Sequence, residues 1–142
     1  MNEQVRSLLQ KIDHIGIAVE NLAKAVPIYE TLTGHPPEHF EDLPKEKVKT
    51  AFFSVGEANL ELLEATDPES PIAKYIAKNG RGGIHHICVV VEDVAAKLAE
   101  LKAAGIPLID EAPRQGAHGK LVAFIHPKGT GGVLIELAQD AH

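Results

Sequence analysis

Two histidines and two glutamates have the side chains and the placement needed to bind a metal ion. His14 and His86 each stand third in a run of mostly branched residues, Ile12–Val19 and Ile84–Val91. Alternate side chains of a strand share a face, so both histidines point away from the face that carries most of the isoleucines and valines. We therefore expect each histidine to project from the less apolar side of a strand.

Glu61 and Glu136 each interrupt an apolar segment near the end of their half of the chain. A carboxylate in such a strand is expected to be nearly buried, and a buried charge is costly unless it is paired or ligates a metal. His14 and Glu61 are 47 positions apart, and His86 and Glu136 are 50 positions apart. If the two halves fold alike and face each other, the four side chains converge on one divalent cation. Such nitrogen and oxygen donors suit Mn, Co, Ni, Fe or Zn without choosing among them, and open positions would remain for water or substrate.

The rest of the chain repeats in the same way. Each histidine-bearing run is followed by an acid or Asn start signal, a helical pattern and a closing Gly, which are typical helix caps. Strand-like segments follow, near 48–55 and 59–64 in the first half and near 121–126 and 133–138 in the second. One more strand fits in each half, near 38–40 and 107–109. The pattern predicts an α+β fold of two tandem βαβββ modules, since self-similarity at this scale decides the architecture.

We expect a single domain over residues 1–142, with one module at about 12–66 and the other at about 84–138. A connector helix is predicted at about 70–80, where Ser70 suits the N-cap, Pro71 the first helical position and Asn79-Gly80 the stop. Pro27 is expected to bend the first helix, because it removes one backbone donor.

Composition restricts the function classes. The formal charge of −6 and the scattered acidic residues argue against a nucleic-acid surface. The lone Cys88 excludes a disulfide framework within the chain. The first ten residues have no signal-peptide pattern, and no apolar run approaches the roughly 20 residues of a membrane span. We therefore expect a cytoplasmic protein without a membrane partner.

Several motifs, some of them in expected loops, are more specific than the fold. They are Ile12-Asp13-His14, the stretches 69–74, 83–87 and 116–120, His126-Pro127-Lys128, and 131–136. With these motifs the chain, over about residues 12–138, resembles the methylmalonyl-CoA epimerases of the vicinal oxygen chelate superfamily. The resemblance implies a cupped, barrel-like mixed sheet with helices outside. It also implies a divalent metal, often cobalt, held by His14, residue 61, His86 and Glu136, an acyl-CoA substrate, and a homodimer.

Two positions depart from that family's pattern. The epimerases commonly have Gln where this chain has Glu61, and a Glu there also resembles bacterial-type glyoxalase I. Some epimerases carry a glutamate at the position that matches Thr50. Inversion of the substrate α-carbon is simplest with two groups on opposite faces of an enolate. Glu136 is our candidate for one group. The other could be Glu61, if it is not a ligand, or a water held near Thr50.

The Gly116–Lys120 segment is a candidate substrate-binding loop. His118 and Lys120 could hold the substrate carboxylate or thioester, although an ordinary turn before a strand has the same composition. Two other functions stay open at this point. One is glyoxalase I, with the same fold and metal, and the other is a metal-free small-molecule-binding module, which would have no need of the paired His and Glu.

Overall fold

The computed structural model describes residues 8–116 and 119–140, and within them it has eight strands, three α-helices and one short 3₁₀ helix. In chain order the elements are β1 (Leu9–Ala18), α1 (Leu22–Thr33), β2 (His39–Leu43), β3 (Val48–Val55), β4 (Ala58–Ala65), α2 (Pro71–Asn79), β5 (Gly83–Val91), α3 (Val94–Ala103), β6 (Arg114–Gln115), β7 (Leu121–Ile125), the 3₁₀ helix Pro127–Gly129, and β8 (Ile135–Gln139).

The chain divides into two compact units. The central unit is His14–His85, and the terminal unit joins the segment before it to the segment after it. In the central unit the strand order is β2-β3-β4-β1, with β1 parallel to β4 and the other neighbours antiparallel. In the terminal unit the order is β5-β8-β7-β6, with β5 parallel to β8 and the other neighbours antiparallel. The predicted repetition of one βαβββ arrangement is therefore confirmed. The single-domain boundaries stay a prediction.

Helix ends follow the predicted signals. The side chains of Asn21, Ser70 and Asp93 accept backbone hydrogen bonds at the N-termini of α1, α2 and α3. Gly34 and Gly80 close α1 and α2 in the left-handed conformation, with φ of 88° and 78°. These caps satisfy backbone groups that would otherwise be left without partners at the helix ends. Pro27 lies inside α1, which continues past it to Thr33.

The prediction of a further strand near 107–109 in the second half is wrong. Around 107–109 the structure has only an isolated bridge between Leu108 and Ile125, and the fourth strand of the terminal unit is Arg114–Gln115. Pairing with β7 decides this position, since a two-residue strand carries no periodicity that sequence reading could detect.

Each unit has an aliphatic core on the helix side of its strands. In the central unit Leu22 of α1 packs with the buried residues Ala51, Phe53 and Leu62. In the terminal unit Val94 and Leu98 of α3 pack with a set of buried strand residues, which are Val89, Val91, Ala123, Ile125 and Leu137. Because side chains alternate along a strand, His14, Glu61, His86 and Glu136 lie on the opposite faces of these strands. Among the described helices none is long and apolar enough to cross a membrane.

Candidate metal centre

The central unit brings His14 and Glu61 together. Gly16 of β1 is the register partner of Glu61 on β4, so His14, two residues earlier, projects on the same face beside the carboxylate. His14 Nε2 lies 3.2 Å from Glu61 Oε1, and the two side chains are only 14% and 10% exposed. The parallel pairing of β1 with β4 therefore brings His14 and Glu61 together.

The terminal unit repeats the arrangement with His86 and Glu136. Cys88 of β5 is the register partner of Glu136 on β8, so His86 again stands two residues before the residue that faces the glutamate. His86 Nε2 lies 3.4 Å from Glu136 Oε1, and the side chains are 9% and 14% exposed. The ring of Phe124, the β7 partner of Glu136, meets the His86 ring edge to face at 6.1 Å.

Both glutamates keep little contact with solvent, so an ionised carboxylate at either place needs a compensating positive charge. A protonated imidazole could supply it, and so could a cation bound by imidazole nitrogen and carboxylate oxygen together. His14, Glu61 and His86 each offer a ligand atom of the kind that divalent metals take. The donor chemistry of both pairs therefore fits a transition-metal ion.

Cys88 lies on the same face of β5 as His86 but has no features of a nucleophile. The residue is 1% exposed and packs with the buried Val122 and Ala138. Burial raises the pKa of its thiol, and the charge of Glu136 raises it further. A neutral, buried thiol is a packing group.

Lys120 is held by an acid that sequence reading left unassigned. Its Nζ lies 3.1 Å from Asp13 Oδ1, across a separation of 107 positions. Partial burial lowers the pKa of Lys120, but the hydrogen bond and charge of Asp13 outweigh that effect and the pKa is raised. Lys120 is therefore cationic at neutral pH. The other predicted residue of this segment, His118, lies outside the described residues.

Thr50 occupies the middle of β3 on the face that carries Glu61. It is 0% exposed, and its Oγ1 has no hydrogen-bond partner among the described residues. Its register partners are Leu63 on β4 and Glu41 on β2. Sequence reading missed Glu41, because β2 is a short strand in a proline-flanked segment whose register only the sheet reveals.

Comparison with known proteins agrees with this fold. The family model described as the Glyoxalase/Bleomycin resistance protein/Dioxygenase superfamily matches residues 13–124, and the chain belongs to that superfamily. Human mitochondrial methylmalonyl-CoA epimerase is 40% identical over 131 residues, which are 92% of this chain and 74% of the human protein.

Solved structures give the same result. The crystal structure of methylmalonyl-CoA epimerase from Mycobacterium tuberculosis aligns with a TM-score of 0.86 at 36% identity, covering 96% of this chain and 91% of the other. A methylmalonyl-CoA epimerase in complex with methylmalonyl-CoA and NH4+ aligns with a TM-score of 0.84 at 36% identity, covering 94% and 96%. Within the superfamily, the chain belongs to the methylmalonyl-CoA epimerase family, and the predicted fold class is confirmed.

Proposed function

We propose that the protein is a metal-dependent epimerase that interconverts (R)- and (S)-methylmalonyl-CoA through removal and return of the C2 proton. The observation that carries this proposal is the repetition of a buried His–Glu pair at equivalent strand positions of the two units. Relatives and solved structures named for this reaction support the choice of substrate, since they align with nearly the whole chain.

We further propose that His14, Glu61, His86 and Glu136 ligate a single divalent metal. One pair alone offers only one nitrogen and one oxygen donor, whereas both pairs together offer four ligands. A divalent cation bound by them would balance the charges of the two buried carboxylates. Our choice of metal is cobalt, with manganese, nickel and zinc as alternatives, because the donor set does not distinguish them. When bound, such an ion stabilises negative charge that develops on the thioester and carboxylate oxygens of the substrate.

The C2 hydrogen lies between a thioester and a carboxylate, and its removal leaves an enolate. In this proposal Glu136 takes the proton from one face of C2 or returns it there. Inversion requires a second group on the other face, because one base acting alone would return the proton to the side it came from.

Substrate binding is assigned to the Gly116–Lys120 segment and to Thr50. Lys120 is a cation held in place by Asp13, which suits the free carboxylate of a malonyl group. His118 is proposed as a further contact from the same segment. The buried hydroxyl of Thr50 would gain its hydrogen-bond partner when a substrate oxygen or a water reaches the Glu61 face.

We also propose that the enzyme is a cytoplasmic homodimer. The exposed apolar side chains of Ile28 and Leu32, one turn apart on α1, are compatible with a contact between copies. Light scattering after size exclusion would give the molar mass, and a mass of about 15.2 kDa at every concentration would exclude the dimer.

The deciding experiment follows C2 exchange of methylmalonyl-CoA in heavy water, with protein stripped of metal and then resupplied with cobalt. We expect exchange together with inversion only in the resupplied sample. His86→Ala should abolish both, while His126→Ala, which removes an exposed histidine outside the pairs, should leave both intact. If the wild-type protein resupplied with cobalt exchanges the C2 proton no faster than the background rate, the proposed epimerase function is rejected.

A second activity is favoured by one residue. Glu61, in place of the Gln common among epimerases, resembles glyoxalase I, so the same preparation should be offered the glutathione hemithioacetal of methylglyoxal. Conversion of the hemithioacetal without methylmalonyl-CoA exchange would assign the site to glyoxalase I chemistry.

A further inference from the structure

The register of β2, β3 and β4 places Glu41 on the face of the central unit that carries the His14–Glu61 pair. Glu41 is opposite Thr50, and Thr50 is opposite Leu63. The next row on the same face runs from His39 through Phe52 to Glu61. Residues that face each other across neighbouring strands project on the same side of the sheet.

The other face of β3 packs against α1, whereas on the Glu61 face a separate cluster with Ile72 of α2 buries Val48 and Leu63. Ala51 and Phe53 alternate with Thr50 and are buried against α1. Glu41 is half-buried and its Oε1 is shielded from solvent, whereas the adjacent Asp42 is exposed. The two neighbouring acids of β2 therefore have different environments, and only Glu41 is directed toward the face of the proposed site.

Apart from Glu61, which the proposed function assigns to the metal, Glu41 is the only carboxylate on that face of the described central strands. Within the four fully described strands of the central unit, the residues that share the Glu61 face are otherwise neutral or are histidines, and they are His14, Gly16, Ala18, His39, Leu43, Val48, Thr50, Phe52, Ser54, Asn59, Leu63 and Ala65. Thr50, whose hydroxyl is not basic at neutral pH, cannot itself hold an abstracted proton. A carboxylate can, and Glu41 is the one next to it.

We propose that Glu41 is the second acid–base group of the inversion. This inference rests on the proposed epimerase function. In one direction the C2–H bond breaks, its electron pair remains on the enolate, and the proton bonds to the Glu41 carboxylate. A proton from Glu136 then forms the new C2–H bond on the opposite face. In the reverse direction the two carboxyl groups exchange roles, so no other reactant is consumed.

The backbone spacing makes this assignment specific. Neighbouring strands are about 4.8 Å apart, so the Glu41 backbone lies about 4.8 Å farther from β4 than the Thr50 backbone does. Because of this distance, Glu41→Asp should lower the inversion rate. A glutamate at position 50, on the same row and closer to β4, should replace the function of Glu41.

The test compares exchange with inversion for each substrate epimer in heavy water. In Glu41→Gln we expect the inversion rate to fall by roughly 10²–10⁴-fold, the usual contribution of a positioned acid or base. One epimer should still exchange its C2 proton with retention, because Glu136 remains, and the metal content should not change. Glu41→Asp should lie between Gln and wild type. Asp42→Asn, an equal charge change on the exposed side of the same strand, should behave as wild type.

The double variant Glu41→Gln/Thr50→Glu provides the rescue. We expect it to recover at least tenfold of the inversion rate lost in Glu41→Gln, with folding monitored by its thermal transition. If Glu41→Gln inverts within threefold of the wild-type rate, Glu41 is not the second base. Loss of exchange for both epimers with normal metal content would also reject the role, since that pattern indicates a general defect. Failure of the wild-type protein to exchange either epimer would instead reject the underlying epimerase function.

Discussion

The substitution Thr50→Val tests two effects of the buried hydroxyl separately: its effect on the stability of the fold and its effect on catalysis. Thr50 is 0% exposed and its Oγ1 lacks a partner among the described residues. A buried polar group without a hydrogen bond costs about 1–3 kcal/mol. Valine keeps the branched shape that favours a strand and removes the polar atom. We therefore expect Thr50→Val to raise the free energy of unfolding by about 1–2 kcal/mol, taking the lower part of that range.

The same substitution should weaken catalysis. For a chain of this size about 1–2 kcal/mol corresponds to a rise of roughly 3–6 °C in melting temperature. If substrate or a bound water satisfies the hydroxyl during the reaction, its loss should lower kcat/KM by about tenfold, the equivalent of about 1.4 kcal/mol. Thr50→Ser should instead lower the stability, because it leaves a methyl-sized gap in the core, and it should retain kcat/KM, because it keeps the hydroxyl.

Thermal and urea unfolding of the protein without substrate, combined with initial rates of epimerisation, measure both effects. Thr31→Val is the matched control: its hydroxyl donates to Pro27 O on an exposed side of α1, and the change in stability should stay within about 0.5 kcal/mol. A destabilised Thr50→Val would show that the hydroxyl is already satisfied in the free protein. A stabilised variant with unchanged kcat/KM would show that the substrate does not use it.

Three further outcomes are expected. Dialysis against a chelator should lower the melting temperature by roughly 5–10 °C, because free metal at 100 times its Kd contributes about 2.7 kcal/mol, and an unchanged transition would argue against a resident metal. Gly82→Ala should lower the urea midpoint well below that of Gly80→Ala. A Cβ at 82 would lie 2.3 Å from the backbone oxygen of Ala18, whereas one at 80 meets nothing within 4 Å and costs only the strain of a positive φ; equal midpoints would contradict this. Lys120→Met should lose the ion pair with Asp13. Because the Lys120 pKa is raised in the folded protein, the stability difference from wild type should be constant from pH 7 to about 10 and shrink above the unfolded value of about 10.4; a difference that disappears near neutral pH would contradict it.

The sequence predicted the His–Glu pairs well because strand periodicity carries the relevant information. Alternation determines which face a residue occupies, and the equal spacing in both halves indicates which strands meet. The start of β8 was less predictable: the pattern suggests a strand from Val133, but the structure begins it at Ile135. Gly131 and Gly132 precede it with φ of 73° and 101°, and Thr130 Oγ1 donates to the carbonyl of Val133, so the turn extends into the apolar run.

Long-range partners were not predictable from the sequence. Lys120 and Asp13 are 107 positions apart, and neither residue stands out in its local pattern. Glu41 lies in a five-residue strand whose neighbouring positions are mostly exposed, so its sequence predicts a loop as readily as a strand. Its register with Thr50 depends on β3, which is itself fixed by the core beneath α1. The packing of β3 against α1 therefore determines where Glu41 lies on the opposite face.

The two faces of the central strands differ, and this explains how the chain can bury the polar Glu61 side chain and remain folded. Leu62 and Phe53, each 0% exposed, supply hydrophobic stabilisation on the α1 side of the central strands. Fully burying side chains of this size is worth about 1.5–3 kcal/mol each. Glu61, adjacent to Leu62 along β4, lies on the other face at a desolvation cost. Leu62 and Glu61 are adjacent and lie on opposite faces. A one-residue slip of β4 would therefore move Leu62 to the face of the polar groups and place the Glu61 carboxylate in the apolar core. The core beneath α1 therefore does more than stabilise the unit, since burial of Leu62 there favours the register in which His14 and Glu61 meet.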